Sequence, residues 1–324
     1  MIDALYNLKG VSGAEDEIRM YLLNELSGLC DDIRVDNMGN IIAKRIYNDK
    51  LPTTALIAHI DEPGFIITDI TEDGYLKFET IGDIKTDGLL AEKVKIGDII
   101  GIISLKAIHL STKEEREKKV KIDDLYIDIG ASDKIDAEKY VGIGDYCAFY
   151  SDTVNFGDGL LKGCAVAARA ECLLLLNLLK SGLMFNTNLL LIFTVQHNVK
   201  CRGIMVLTDE LNSVEQIFVL GETDIKENKL KLGNGTIIEE TTDDNERTEE
   251  LCKSIIQKIG GIPYQQYVSK LKNEKKFLSQ NFCDKAILTI GIPCEYKNSS
   301  VNLISEKDIR STQKIIEKIL SEVI

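Results

Sequence analysis

The chain has 324 residues, of which 44% are hydrophobic, and carries a formal net charge of −13. This length can bury one large core or two domains, and the negative charge argues against binding to nucleic acid or to anionic membrane surfaces, because polyanions would be repelled. The sequence shows neither the ~20-residue apolar run of a transmembrane helix nor a signal peptide. Eight scattered cysteines without a Cys-x-x-Cys pair indicate reduced thiols rather than disulfides. We therefore expect a cytoplasmic protein.

The first part of the chain is predicted to be mostly helical over residues 1–26. Ser12 and Glu15 have the spacing of a capping box, and the apolar residues after them keep helical spacing. Next, two short runs at 33–36 and 40–43 flank an Asn-Met-Gly segment with turn chemistry. This arrangement predicts a β-hairpin.

A short apolar run, Ala55–Ile60, has the profile of a strand that is buried on both faces. From residue 64 to about 155 the sequence changes to short alternating runs separated by Gly and Asp, a pattern typical of a β-barrel or sandwich. The charged stretch Lys113–Lys121 interrupts this module, and we interpret it as a solvated loop.

The rest of the chain alternates between helical and strand patterns. Helices are predicted at 165–180, 203–211, 248–260 and 306–323, and strands at 188–195, 216–220 and 286–290. Such alternation indicates an α/β sheet with helices on its faces. The economical architecture is one α/β domain formed by residues 1–63 and 156–324, with an inserted β domain at 64–155.

Polar residues follow several of the predicted strands, at the carboxyl ends where open α/β sheets bind ligands. His59 and Asp61 stand where the strand at 55–60 opens into a loop, and an imidazole and a carboxylate at this spacing can converge on one zinc-sized ion. The ends of the other strands carry Gln196-His197-Asn198, Gly221-Glu222 and Asn298-Ser299. A divalent cation needs three or four protein ligands, and acidic residues at these strand ends are few.

A set of motifs in this order resembles the tetrahedral, glutamyl or deblocking aminopeptidases, which are two-metal exopeptidases often labelled endoglucanase or cellulase. The matching segments run nearly from end to end: Ser12-Gly13-x-Glu15, Asp36-x-x-Gly39-Asn40, Ala58-His59-x-Asp61-Glu62-x-Gly64-Phe65, His109, Asp128-Ile129-Gly130-Ala131, Gly144-Asp145, Ala165-x-x-x-Arg169, Gln196-x-x-Val199-x-x-Arg202-Gly203 and Leu232-Gly233-x-Gly235. The resemblance implies a phosphorylase/hydrolase-like metallo-exopeptidase domain with an inserted β-barrel-like domain. It also implies assembly into homo-oligomers, either dimers or larger tetrahedral particles.

The resemblance further implies two divalent ions, five protein ligands and a glutamate that acts as general base. His59 falls on the first ligand, and Asp61 matches the acid that orients the imidazole. The remaining positions carry other residue types. The bridging acid falls on Ala167, its neighbour on Ala168, and the general base on His197. A ligand Glu falls on Asn198, a ligand Asp on Gly221 or, one residue later, on Glu222, and the final ligand His on Asn298.

Four of the five implied ligands and the general base are thus replaced. Without the bridging carboxylate, two dications ~3.5–4 Å apart would lack the anion that holds them together. We therefore predict a family member that lacks peptidase activity, needs no cofactor, and acts as a structural, regulatory or ligand-binding homologue. Its partner is a second copy of the chain or an active paralogue.

Two alternatives keep an enzymatic role open. His59, His197, Asp61 and Glu222 lie on separate strand ends and could hold a single zinc ion. Cys201 lies four residues from His197, and an imidazole lowers the pKa of a nearby thiol. Asp61 and His197 are the candidate catalytic residues in this interpretation.

Three further basic residues have predicted roles that do not involve metal. Lys162 and Arg169 leave positive charge near the lost carboxylates and could bind an anionic group such as a carboxylate, although structural ion pairs are the simpler interpretation of both. His109 matches a position in the insert and is assigned a packing role.

Overall fold

The computed structural model describes residues 4–105, 120–226, 229–269 and 273–322. It contains an eleven-stranded mixed sheet with helices on both faces and a closed six-stranded β-barrel. The predicted α/β fold with an inserted β-barrel-like domain is therefore confirmed. His109 and most of the Lys113–Lys121 stretch lie outside the described residues.

The elements have the following bounds. The strands are β1 (Asp32–Val35), β2 (Ile41–Arg45), β3 (Thr53–His59), β4 (Gly64–Ile70), β5 (Leu76–Ile81), β6 (Lys93–Ile96), β7 (Ile99–Leu105), β8 (Leu125–Asp128), β9 (Tyr146–Phe149), β10 (Val154–Phe156), β11 (Leu160–Gly163), β12 (Asn188–Thr194), β13 (Gln216–Asp224), β14 (Thr236–Thr241), β15 (Tyr264–Ser269), β16 (Ala286–Glu295) and β17 (Asn302–Ser305). The helices are α1 (Asp16–Leu26), α2 (Lys134–Ala137), α3 (Val166–Lys180), α4 (Thr208–Asn212), α5 (Glu246–Lys258), α6 (Asn273–Asn281) and α7 (Glu306–Glu322). Short 3₁₀ turns lie at Ala4–Asn7, Thr86–Gly88, Ile122–Asp124 and Ile204–Val206.

The large sheet has the strand order β1-β2-β12-β3-β13-β16-β17-β11-β10, with β14 pairing with both β16 and β15. Its central strands β12, β3, β13 and β16 are parallel to their neighbours in this group. In the register, Thr194 at the end of β12 lies opposite His59 at the end of β3. The carboxyl ends of these four strands therefore meet at one edge of the sheet.

Both faces of the central strands are buried, as their continuous apolar sequences predict. On one face, α1, α3, α5 and α7 pack against side chains such as Leu56 and Ala58. On the other face, α4, α6 and the 3₁₀ turn at Ile204–Val206 pack against Ala55 and Ile57. None of the helices in the described ranges is long and apolar enough to cross a membrane.

The barrel lies between β3 and β10 in the chain, with the closed strand order β4-β5-β8-β7-β6-β9. Phe65 anchors its core, with edge-to-face ring contacts to Phe78 at 5.1 Å and to Phe149 at 5.0 Å between centroids. The predicted limit of the insert, residue 155, falls within β10, and β10 pairs with β11 of the large sheet.

Four local predictions were wrong or incomplete. Ser12 does not cap α1: its hydroxyl donates to the Asp61 carboxylate, and Glu15 accepts from the backbone N–H groups of Gly13 and Gln196. The helix predicted at 203–211 is a 3₁₀ turn followed by the short α4. The strands predicted to end at residues 220 and 290 continue to Asp224 and Glu295, because β13 pairs with β16 along its whole length. The sequence did not predict β10, β11, β14, β15, β17, α2 or α6.

Candidate functional site

The carboxyl ends of the four parallel strands surround a cleft of about 350 Å³. β3 contributes His59, the turn after β12 contributes Asn198, β13 contributes Glu222, and the turn after β16 contributes Lys297 and Asn298. The cleft is therefore formed where a parallel sheet gathers the residues that follow its strands.

His59 lies at the floor of the cleft and is 3% exposed. Its Nδ1 lies 3.1 Å from the backbone carbonyl oxygen of Asp61, and its Nε2 lies 3.1 Å from Oε2 of Glu222. Burial lowers the pKa of His59, but the negative charge of Glu222 and hydrogen bonds to Asp61 and Glu222 outweigh it and raise the pKa well above its ordinary value. The imidazole is thus held in one orientation with Nε2 directed at Glu222.

Asp61 is fully buried and braces the loop that follows β12. Its carboxylate accepts hydrogen bonds from the backbone N–H groups of His197 and Asn198, both at 2.9 Å, from Nδ2 of Asn198 at 2.8 Å, and from the hydroxyl of Ser12. Burial raises the pKa of Asp61, yet the nearby imidazoles and these donors hold the pKa well below its usual range. Asp61 therefore lines the cleft and at the same time uses its oxygen atoms to fix the loop.

His197 stacks on His59 with 4.2 Å between ring centroids and an interplanar angle of 15°. Its Nδ1 lies 3.2 Å from Oε1 of Glu274, on α6, and 3.8 Å from Sγ of Cys201. Burial and the charge of His59 lower the pKa of His197, but Glu274 more than offsets both and raises the pKa to about 10. At neutral pH His197 is therefore an imidazolium that pairs with Glu274.

Glu171 lies on α3 and is fully buried. Within the described ranges neither of its carboxylate oxygen atoms has a hydrogen-bond partner. Burial and the neighbouring Glu222 carboxylate raise the pKa of Glu171 to about 8. Its ligand atom lies within 4.8 Å of those of His59 and Glu222, and a second such group is formed by His197, Cys201 and Glu274.

Lys297 contributes a positive charge on the other side of Glu222. Its Nζ lies 3.1 Å from Oε1 of Glu222 and donates to the Glu222 backbone carbonyl at 3.2 Å. Burial lowers the pKa of Lys297, but the Glu222 carboxylate outweighs it and raises the pKa above the ordinary lysine value. Glu222 therefore bridges a lysine and a histidine.

The positions that the resemblance assigns to the other metal ligands carry no free carboxylate in the structure. Ala167 and Ala168 are 1% and 3% exposed and present only methyl groups to the cleft. The Asn198 side chain is bound to Asp61, and Gly221 has no side chain. Asn298, at the position of the final histidine, has a left-handed backbone with φ of 60°.

Arg169 forms a buried ion pair rather than a wall of the cleft. It is 0% exposed, and its guanidinium donates to Oε2 of Glu62 at 3.0 Å and to the Ile60 carbonyl at 2.6 Å. Lys162, on β11, is likewise not among the residues that line the cleft. Cys164 lines the cleft, but burial raises the pKa of its thiol above the ordinary value.

The structure thus brings together four of the predicted site residues, namely His59, Asp61, His197 and Glu222. Sequence reasoning missed Glu171 and Glu274, and it placed Lys297 at a strand end without giving it a role. Glu171 follows Ala167 by four residues and so lies on the same helix face, which is a signal that the sequence did contain. Glu274 belongs to a helix that was not predicted, and no local pattern marked it.

Comparisons with known proteins agree with this architecture. A family model described as M42 glutamyl aminopeptidase matches residues 39–315. A putative aminopeptidase of Acetivibrio thermocellus is 28% identical over 321 residues, covering 95% of this chain and 93% of that protein. The TET aminopeptidase of a marine-sediment Thaumarchaeota archaeon superimposes with a TM-score of 0.90 at 24% identity, covering 98% of this chain and 95% of that chain. The TET1 peptidase of Pyrococcus horikoshii, which can assemble into a tetrahedron or a large octahedral shell, gives a TM-score of 0.86 at 24% identity, covering 98% of both chains.

Proposed function

Because this chain belongs to the M42 glutamyl aminopeptidase family, we propose that it keeps the fold of a two-metal peptidase but has lost the paired-ion hydrolysis. It acts instead as a ligand-binding, regulatory or structural homologue. One observation carries this proposal: Ala167, at the position of the bridging acid, presents a buried methyl group to the cleft.

Electrostatics supports the proposal. Two dications ~3.5–4 Å apart repel each other strongly unless an anion lies between them. Two carboxylates near the cleft are already engaged: Asp61 accepts from backbone and side-chain donors, and Glu274 pairs with His197. A second ion would also meet the Lys297 ammonium group at Glu222. The electrostatic free energy needed to bring two ions together is therefore not offset by an unengaged bridging anion.

The general base of the implied mechanism is also replaced. His197 occupies that position, and its Nδ1 is directed at Glu274 rather than into the cleft. One face of the His197 ring is covered by the ring of His59. A side chain held in this way is a poor acceptor for a proton from water.

A ligand-binding role is supported by the cleft itself. Lys297, Asn298 and Ser299 line one side and carry hydrogen-bond donors. These groups suit a small ligand with carboxylate or carbonyl oxygen atoms.

Turnover measurements with bound-metal analysis test the proposal. The purified full chain is incubated with aminoacyl-p-nitroanilides and added zinc, cobalt or manganese, beside a family member with an intact ligand set as positive control. We expect no turnover above the enzyme-free blank and fewer than two equivalents of bound metal. Two equivalents of metal together with robust turnover would overturn the proposal.

A second candidate is a hydrolase that uses a thiol or a single ion at the same place. The observation that favours it is the 3.8 Å distance between Cys201 Sγ and His197 Nδ1. Hydrolysis that Cys201→Ser abolishes, with unchanged thermal unfolding of the variant, would establish this candidate in place of the first.

We also propose that the chain assembles as a homo-oligomer in the cytoplasm, as a dimer or a larger tetrahedral particle. The similarity to the TET1 peptidase of Pyrococcus horikoshii supports assembly. The eight cysteines, all of them unpaired, support a reducing compartment. An active paralogue is the alternative partner.

A further inference from the structure

Three ligand-capable side chains from three different elements converge beside the cleft. His59 ends β3, Glu171 lies on α3 and Glu222 lies on β13, and their ligand atoms all lie within 4.8 Å of one another. Donor atoms bound tetrahedrally at 2.0–2.1 Å to zinc are separated by about 3.3 Å. The 3.1 Å between Nε2 of His59 and Oε2 of Glu222 is close to this separation.

Glu171 provides an independent observation. It is 0% exposed, and its two carboxylate oxygen atoms have no hydrogen-bond partner among the residues that the structure describes. Burial of an unpaired carboxylate is unfavourable, so the group keeps its proton at neutral pH unless a counter-charge is present. A bound cation supplies such a counter-charge.

The orientation of His59 suits a metal-binding side chain. A backbone carbonyl only accepts hydrogen bonds, so the contact to the Asp61 carbonyl assigns the proton to Nδ1. In the neutral imidazole the lone pair is then on Nε2, which is directed at Glu222. Metal-binding histidines are oriented by this kind of contact.

We propose that His59, Glu171 and Glu222 bind one divalent cation of the zinc class, with Glu171 as a carboxylate supplied one helical turn after Ala167. This goes beyond the proposed function, which concerns the loss of the paired-ion site. Ala167 and Glu171 are four residues apart on α3 and share one face of the helix. The longer Glu171 side chain therefore brings a carboxylate to within 4.8 Å of the ligand atoms of His59 and Glu222 from further along the helix.

Charge balance sets the stoichiometry at one. Two carboxylates and a neutral imidazole compensate one dication, and Lys297 holds the other oxygen atom of Glu222 in place. An all-nitrogen-and-oxygen donor set with one imidazole suits zinc, cobalt or manganese. Because His59 and Glu222 line the cleft, a metal ion held by them would be accessible to a ligand in the cleft.

The neighbouring group of His197, Cys201 and Glu274 is the competing location. It contains a sulfur donor, and its carboxylate is already paired with Nδ1 of His197. A metal bound there would carry a thiolate ligand. The two locations are therefore distinguishable by spectroscopy.

The test uses the purified full chain after treatment with a chelator and removal of the chelate. Cobalt(II) is titrated and followed by its visible absorption, and zinc is counted by mass spectrometry after desalting. We expect one equivalent of either ion. Glu171→Gln, which keeps the side-chain volume, weakens binding by at least about 100-fold, since even outer-shell partners contribute 10–100-fold. Glu274→Gln, the matched control at the competing location, still binds one equivalent of metal ion.

Four results would overturn the site. They are no retained metal, equal affinity in Glu171→Gln and the wild type, a sulfur-to-cobalt charge-transfer band that Cys201→Ser removes, and two equivalents of ion. The first three leave the proposed function standing, whereas two equivalents with peptide turnover would overturn both. Circular dichroism of Glu171→Gln in chelator shows whether a loss of binding comes from unfolding, because removal of a buried charge leaves the metal-free fold at least as stable.

Discussion

The buried position of Glu171 lowers the stability of the folded protein, because its carboxyl group is removed from water without a compensating hydrogen bond from the described residues. Arg169, two residues earlier on α3, shows the opposite case. Its guanidinium is equally buried but is paired with Glu62 and bonded to the Ile60 carbonyl. The two side chains show that an ionised group on this helix is either paired inside the protein or needs a partner from outside.

The metal-free stability of Glu171→Gln follows from the raised pKa of Glu171, which is about 8 in the folded protein. Between the ordinary glutamate pKa and about 8, the unfolded chain releases a proton that the folded chain retains, so the stability of the wild type falls as pH rises. We expect Glu171→Gln to be more stable than the chelator-treated wild type by about 1–3 kcal/mol at pH 8. The difference in stability between the variant and the wild type becomes smaller towards pH 4.

Urea unfolding at several pH values measures this difference. Glu249→Gln is the control, because Glu249 is an exposed residue of α5 with a surface pair to Lys253, and we expect it to change stability by less than about 0.5 kcal/mol. A Glu171→Gln variant less stable than the wild type at pH 8 would show that the carboxylate has a partner in the metal-free protein.

The turns that follow the strands have backbones that side chains other than glycine rarely adopt. Ala165, Gln196, Tyr296 and Asn298 all have φ between 49° and 60°. Each such residue costs of order 1–3 kcal/mol. These turns position the floor and rim of the cleft, so strain is concentrated at the site even though the implied metal ligands are replaced.

Ala165, just before α3, is the simplest of these positions to relieve. We expect Ala165→Gly to stabilise the protein by about 0.5–1 kcal/mol, because glycine adopts a positive φ without a steric penalty. Ala170→Gly is the matched control within the same helix, where the change costs about 1 kcal/mol or more. Denaturant unfolding of both variants measures the effects, and destabilisation by Ala165→Gly would contradict the strain argument.

At the scale of the whole molecule, the sheet and the barrel form separate hydrophobic cores. One cluster surrounds Phe65 inside the barrel, and two others lie on the faces of the large sheet. The cleft lies at the edge of the sheet, next to the point where β3 leaves it for the barrel.

Assembly is tested on the intact chain. We expect analytical ultracentrifugation at micromolar concentration to give a mass that is a multiple of the 36.1 kDa chain, as a dimer or a larger particle. A single species of 36.1 kDa would contradict assembly. Incorporation of the chain into oligomers of a co-expressed active paralogue would identify the alternative partner.

Local patterns in the sequence predicted much of the fold. Continuous apolar runs predicted β3 and β12 as strands buried on both faces, and helical spacing predicted α3 and α7. These predictions succeed because strand and helix periods are properties of neighbouring residues. Pairing between distant strands decided the rest, which is why the extension of β13 and the strands β14 and β15 were missed.

The sequence by itself determined that position 167 carries no side-chain ligand, because the methyl group of alanine cannot bind an ion in any conformation. Only the tertiary structure decided which other side chains lie close together. His59 and Glu222 are 163 residues apart, and His197 meets Glu274 from an unpredicted helix. Contacts of this kind depend on how the strands align and how the helices cover them, and neighbouring residues carry no record of that alignment.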